Sequence, residues 1–295
     1  MKYIKSLIIS AAVIVSAAGI QSCSNAPYQK TNAKNRLASV TQHAITDMSE
    51  IYAEIEDVTI TNDFDNALAA VLSNQELDYN PIAATNEALR EKITIFNLYR
   101  IAVHEYSKLT SAESNIKSLA PFSNACSSIT KKFSNSQDTV LVNIATSINS
   151  YTSSQRYNVD QVMKLLINSL DIIWQNDTKN WNDLLNESFT SYQDAINGIP
   201  EESFSEEKLA KYVYQPYEGK TALVQAYKLN LIKERYDYIR GFVNSQDNIT
   251  TALKHLCEVS NALLKAKDIE EINNDISKAE AALSSVNYGQ NNEEQ

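Results

Sequence analysis

Glycine and proline are scarce, with five of each in 295 residues. An all-β chain of this length needs many turn residues, so the shortage argues for long helices joined by few connections. It also removes two catalytic frames. There is no Gly-x-Ser-x-Gly elbow, and glycines spaced this far apart cannot build a backbone cradle for phosphate. Histidine is equally thin. His43, His104 and His255 stand far apart; none has a Glu three positions earlier or a second His four positions later. Neither the Glu-x-x-His pairs of di-metal bundles nor the His-Glu-x-x-His of zinc proteases is therefore present. All three read as ordinary helix-surface or core histidines, and no metal or other cofactor is expected. The oxygen-rich stretch Asn62, Asp63, Asp65, Asn66 lacks the turn Gly and terminal Glu of a calcium loop, and Asp63 reads instead as a helix cap. Positive charge is short as well: 26 basic residues face 36 acidic ones, a formal charge of −10. A general nucleic-acid binder needs the opposite field, so DNA and RNA are not expected partners.

What is present begins at the N-terminus. Lys2 and Lys5 precede an apolar run over residues 7–20, followed by small residues and Cys23. This is the three-part layout of an export signal. The run is about 14 residues, short of the roughly 20 that cross a bilayer, so it reads as a processed signal rather than an anchor. Residues 19–23, Gly-Ile-Gln-Ser-Cys, resemble the lipobox of bacterial lipoprotein precursors, with Ile20 at minus three, Ser22 at minus one and Gln21 as the one departure. The resemblance covers only this segment. It implies that residues 1–22 are removed and that Cys23 is acylated, with two or three chains giving stable membrane attachment. Ser24, where an Asp would resemble an inner-membrane retention signal, favours the outer membrane. The absence of acidic residues from 24–30 favours its periplasmic face over surface display. Two basic residues leave with the signal, which takes the formal charge from −10 to −12.

Residues 23–36 are polar and aperiodic and read as the acylated Cys and a flexible tether. From Leu37 apolar residues recur at three and four, predicting helices over 37–57, from about 63, 82–110, 116–133, 140–151, 159–196, 220–243, 248–266 and 268–286. Pro121 delays or kinks the fourth of these. The expected fold is all-α: an irregular bundle of about seven to nine long antiparallel helices over 37–287, with no sheet and a polar tail at 288–295. Residues 134–138 read as a break that could separate two subdomains. No repeat of 34 to 45 residues recurs, which excludes a tandem helical-hairpin solenoid.

Few residues suggest chemistry. An oxidising envelope would let Cys126 and Cys257 pair, although each also sits on an apolar helical face where free cysteines are common. Tyr212, Tyr214 and Tyr217 gather in an irregular segment beside the acidic stretch 201–207 and could touch a ligand or partner, or pin their own loop. Trp174 and Trp181, seven apart on one helix face, read as core or as a ligand surface. Asp138, Thr139 and Val140 resemble the Asp-Thr-aliphatic acceptor of a bacterial O-glycosylation system, with Thr139 as the acceptor. The expected function is a membrane-tethered, non-enzymatic interaction or scaffold module with an envelope protein partner. The alternative is a small-ligand or glycan-binding lipoprotein. A helical pore is a third reading, opposed by the polar residues that interrupt the most apolar stretches, 140–145 and 162–174.

Overall fold

Seven α-helices and one 3-10 turn make up the described residues, and no strand occurs among them. The structure is a computed structural model, described over residues 26–72, 80–110, 118–136, 139–153, 157–205, 209, 219–265 and 268–286. The helices are α1 (Ala26–Leu72), α2 (Asn80–Thr110), α3 (Ala120–Ser134), α4 (Thr139–Thr152), α5 (Val159–Gly198), α6 (Lys220–Leu264) and α7 (Ile269–Leu283). The all-α expectation is met, but two helices, α1 and α6, run through breaks that the periodicity predicted. α1 runs without a break through Asn62 and Asp63, so Asp63 lies within a helix instead of capping one. α6 likewise continues through the polar run 244–248, where Ser245 and Gln246 are buried. At 45 residues it spans about 67 Å.

Local chemistry sets the helix starts. Asn158 caps α5 by accepting a hydrogen bond from the Asp160 amide at 2.9 Å, and Asp268 caps α7 through the Glu270 amide at 3.0 Å. Acidic residues in both first turns suit the positive end of the helix dipole. Pro121 opens α3 from its first turn, where its missing N–H costs nothing. Gly219 precedes α6 at φ +92°, a backbone region that a side chain would strain. At the far end of α5 the buried Lys228 ammonium donates to the carbonyls of Asn197 at 3.0 Å and Ile199 at 2.6 Å, satisfying acceptors that a helix end leaves unpaired.

α1 is the central element, packed against α2, α5, α6 and α7. Cross-helix pairs give the directions. Asn35 and Glu56 of α1 meet Thr110 and Arg90 of α2, so the two run antiparallel. α5 and α6 are antiparallel through Trp174–Thr250 and Ser188–Arg235. One apolar core holds residues of all seven helices, including Phe133 before the 134–138 break and Leu141 after it. Among the described residues the packing runs across this break: α3 packs directly on α4, and α1 and α2 pack on α5. A small second cluster, Leu209, Leu223 and Val224 with Phe204 and Tyr227, lies beside the Lys228 cap.

The expected tether also needs correcting. Helix α1 starts at Ala26, Ala33 is buried, and the next three residues all reach neighbours. Lys34 pairs with Asp160 at 2.6 Å, the Thr110 hydroxyl donates to Asn35 at 2.9 Å, and Arg36 reaches Asn273, Ser277 and Glu280 of α7. Residues 26–36 belong to the bundle.

Candidate functional site

Between α4 and α5 the packing leaves an open groove of about 410 Å³. Its walls are Val140, Ile144 and Ile148 from α4 and Leu165 and Ile172 from α5, with Asn143, Ser147, Asn168 and Ser169 among them. The geometry follows from helix length: α4 has 14 residues against the 40 of α5, so its apolar stripe covers only part of the α5 face. Ile172 is left 47% exposed at the rim, a large apolar side chain with nothing over it. The floor is rigid. Ser169 donates to the Leu166 carbonyl at 2.7 Å and exchanges a 2.7 Å hydrogen bond with the buried hydroxyl of Tyr99 on α2.

No titratable side chain lines this groove, so it offers no general acid, base or nucleophile. Its chemistry is that of a slot for apolar matter with amide and hydroxyl groups to orient what enters. A second recess, about 530 Å³ between α2 and α3, is walled mostly by polar and charged residues, among them the Lys132–Glu91 ion pair at 3.0 Å.

Tyrosine serves a structural purpose that composition alone did not reveal. Tyr52 of α1 donates to Asp177 of α5, which also accepts an ion pair from Lys92 of α2 at 3.0 Å. Tyr106 of α2 donates to Asp160 at 2.9 Å, and Asp160 is paired with Lys34 of α1. Each aspartate ties three helices together. Tyr238 of α6 donates to Glu54 of α1 at 2.5 Å. Burial, followed by the adjacent carboxylate, pushes the phenols of Tyr52 and Tyr106 well above their ordinary range, so they remain donors.

The candidate residues named above scatter. Trp174 and Trp181 are buried as an edge-on pair with ring centroids 5.4 Å apart, and Tyr52 packs 4.7 Å from Trp181. They are core residues and present no surface to a ligand. Cys126 on α3 and Cys257 on α6 are free thiols, so the pairing considered above is not formed. Cys126 sits near Tyr99 and Tyr157, whereas Cys257 sits near Asp171 and Glu258. Thr139 is exposed at the first turn of α4, as a modified hydroxyl would have to be. Cys23, Tyr212, Tyr214 and Tyr217 lie outside the described residues. His43 and His104 are exposed, while His255 is partly buried beside Glu258.

Sequence reasoning singled out none of the groove residues as a binding surface; Val140, Ile144 and Ile172 stood within the apolar stretches 140–145 and 162–174. Only the excess of apolar length on α5 over its short neighbour hinted at an uncovered strip. No family model, curated protein or solved structure matches this chain.

Proposed function

We propose that this protein is a lipid-anchored module of the bacterial envelope that has no catalysis of its own and captures an apolar segment of an envelope partner in the α4–α5 groove. The observation that carries the reading is the groove itself: apolar walls, an exposed Ile172 and no ionisable lining. An amphipathic helix laying its apolar stripe into such a slot is a common mode of recognition. The anchoring half of the reading rests on the lipobox-like residues before Cys23, and it is supported by the short distance from there to the bundle. Helix α1 begins three residues later, at Ala26, so an acylated Cys23 would hold the groove close to the bilayer.

A small apolar ligand is the second reading, supported by the volume of about 410 Å³, within the range of small-molecule pockets. Glycan stacking loses its tryptophans to the core. A pore is opposed by the described helices, none of which is long and apolar enough to cross a membrane.

Site-specific photo-crosslinking from position 172 in native envelopes tests the partner reading. The expected result is one dominant protein adduct, lost when Asn168→Lys blocks the neighbouring groove wall. Absence of any specific adduct, together with a melting shift from fatty acid, would replace the protein partner with a small ligand. Cys23→Ser should release the protein from membranes; if it stays bound, the anchor is wrong.

A further inference from the structure

We infer that His255, Glu258 and Asp275 form a site for a first-row divalent transition ion that clasps α7 to α6. The three side chains offer one imidazole nitrogen and two carboxylate oxygens, donor types that zinc accepts. Two come from adjacent turns of α6 and the third from α7. Their ligand atoms all lie within 4.8 Å of one another. His255 Nδ1 is 3.2 Å from Glu258 Oε2 and 3.9 Å from Asp275 Oδ1.

Zinc–ligand bonds of about 2.0–2.1 Å place neighbouring ligand atoms about 3.3 Å apart in a tetrahedron. The His–Glu pair already has that spacing. Drawing in Asp275 takes a movement of about 1 Å, within the reach of small side-chain rotations. The imidazole and Asp275 side chains are 19% and 15% exposed, and Glu258 is 47% exposed, so the cluster is walled on the protein side and open on the other. Three protein ligands with one open face leave the fourth position to water.

Lys278 holds the place that the ion would take: its ammonium is 2.8 Å from Asp275 Oδ1. This is a half-exposed pair between residues three apart on one helix, and such pairs contribute about 0–1 kcal/mol. The lysine head is free to swing into water on its flexible stem. An ion of charge two, bonded to three donors at once, gains far more from the same oxygen than Lys278 does. Glu258, Glu271 and Asp275 all act on Lys278, which marks this patch as locally anionic. The inference does not depend on the membrane anchor or on the groove.

The test uses the full mature chain, stripped with chelator and titrated with Zn²⁺ by calorimetry and thermal melting. One saturable ion per chain and a raised melting temperature are expected. Binding should weaken at least about tenfold in both Glu258→Gln and Asp275→Asn, with metal-free melting of Glu258→Gln unchanged because its side chain is exposed. Lys278→Met should bind several-fold more tightly than the parent. Co²⁺ in place of Zn²⁺ should give visible bands without sulfur-to-metal charge transfer. No saturable binding, unchanged affinity in both carboxylate variants, or a thiolate band pointing to Cys257 would each overturn the site.

Discussion

Asp47 faces the core from the middle of α1, only 6% exposed. Its Oδ1 lies 3.6 Å from His43 Nε2, and its Oδ2 has no hydrogen-bond partner among the described residues. Burial, followed by the charge of Glu50, pushes this carboxyl up from 3.8 to about 7. His43 offers little relief, because even the partial burial of this half-exposed ring lowers its pKa and favours the neutral form. The sign follows from proton counting. Between pH 4 and 7 the folded chain keeps the Asp47 proton while the unfolded chain loses it, so stability falls as pH rises across that window. The favourable contribution is complete below about pH 4 and gone above about pH 7. At about 1.4 kcal/mol per decade, the interval from 3.8 to about 7 corresponds to on the order of 4 kcal/mol. Asp47→Asn keeps the shape and cannot ionise. Urea unfolding of both proteins at several pH values isolates this carboxyl, since every other titration is shared. The two should be nearly equal at pH 4, and the variant should be more stable at pH 8, with a midpoint higher by about 2 M if m is about 2 kcal/mol/M. A difference that does not change with pH, or a variant less stable at pH 8, would refute the reasoning.

The remaining tests address the polar ties and the thiols. Tyr52→Phe removes the phenol that Asp177 accepts from, and should cost about 2 kcal/mol in urea, the usual worth of a hydrogen bond to a charged group. Lys228→Met leaves the carbonyls of Asn197 and Ile199 without their donor. Amide exchange should accelerate around residues 196–204 while α1 and α2 stay protected. Cys126 and Cys257 are pushed up to about 12 by burial, so at pH 8 neither should react with a thiol reagent in the native protein and both should react in urea. Recovery of no thiols after unfolding would mean that the two cysteines pair after all.

The apolar stripes were legible because three- and four-residue spacing depends on nothing outside the helix. Leu37, Val40, Ala44, Met48 and Ile51 are buried as that spacing requires. The boundaries were less legible, and for one reason. Polar residues that bond across helices look the same in sequence as polar residues that face water. Lys34, Asn35 and Arg36 resemble tether residues until Asp160, Thr110 and α7 are seen beside them. Ser245 and Gln246 resemble a loop, yet they are buried in α6, where packing outweighs weak helix propensity. The groove was illegible because the exposure of Ile172 depends on where α4 ends, a property of two helices at once. The His255–Glu258 spacing is readable as neighbouring turns of one helix. Asp275, on another helix, joins them only through the antiparallel packing of α6 and α7.

The early start of α1 also bears on force. A pull on Cys23 would act along the axis of a 47-residue rod whose flanks are packed against α2, α5, α6 and α7. Contacts arranged along a rod are loaded together in shear, rather than one after another as when a flap is peeled. Three residues span at most about 11 Å, so the rod could neither slacken nor swing far. If Cys23 is acylated as proposed, a bundle mounted this way would move with the membrane, and a partner gripping the α4–α5 groove would be mechanically coupled to the bilayer instead of floating at the end of a leash.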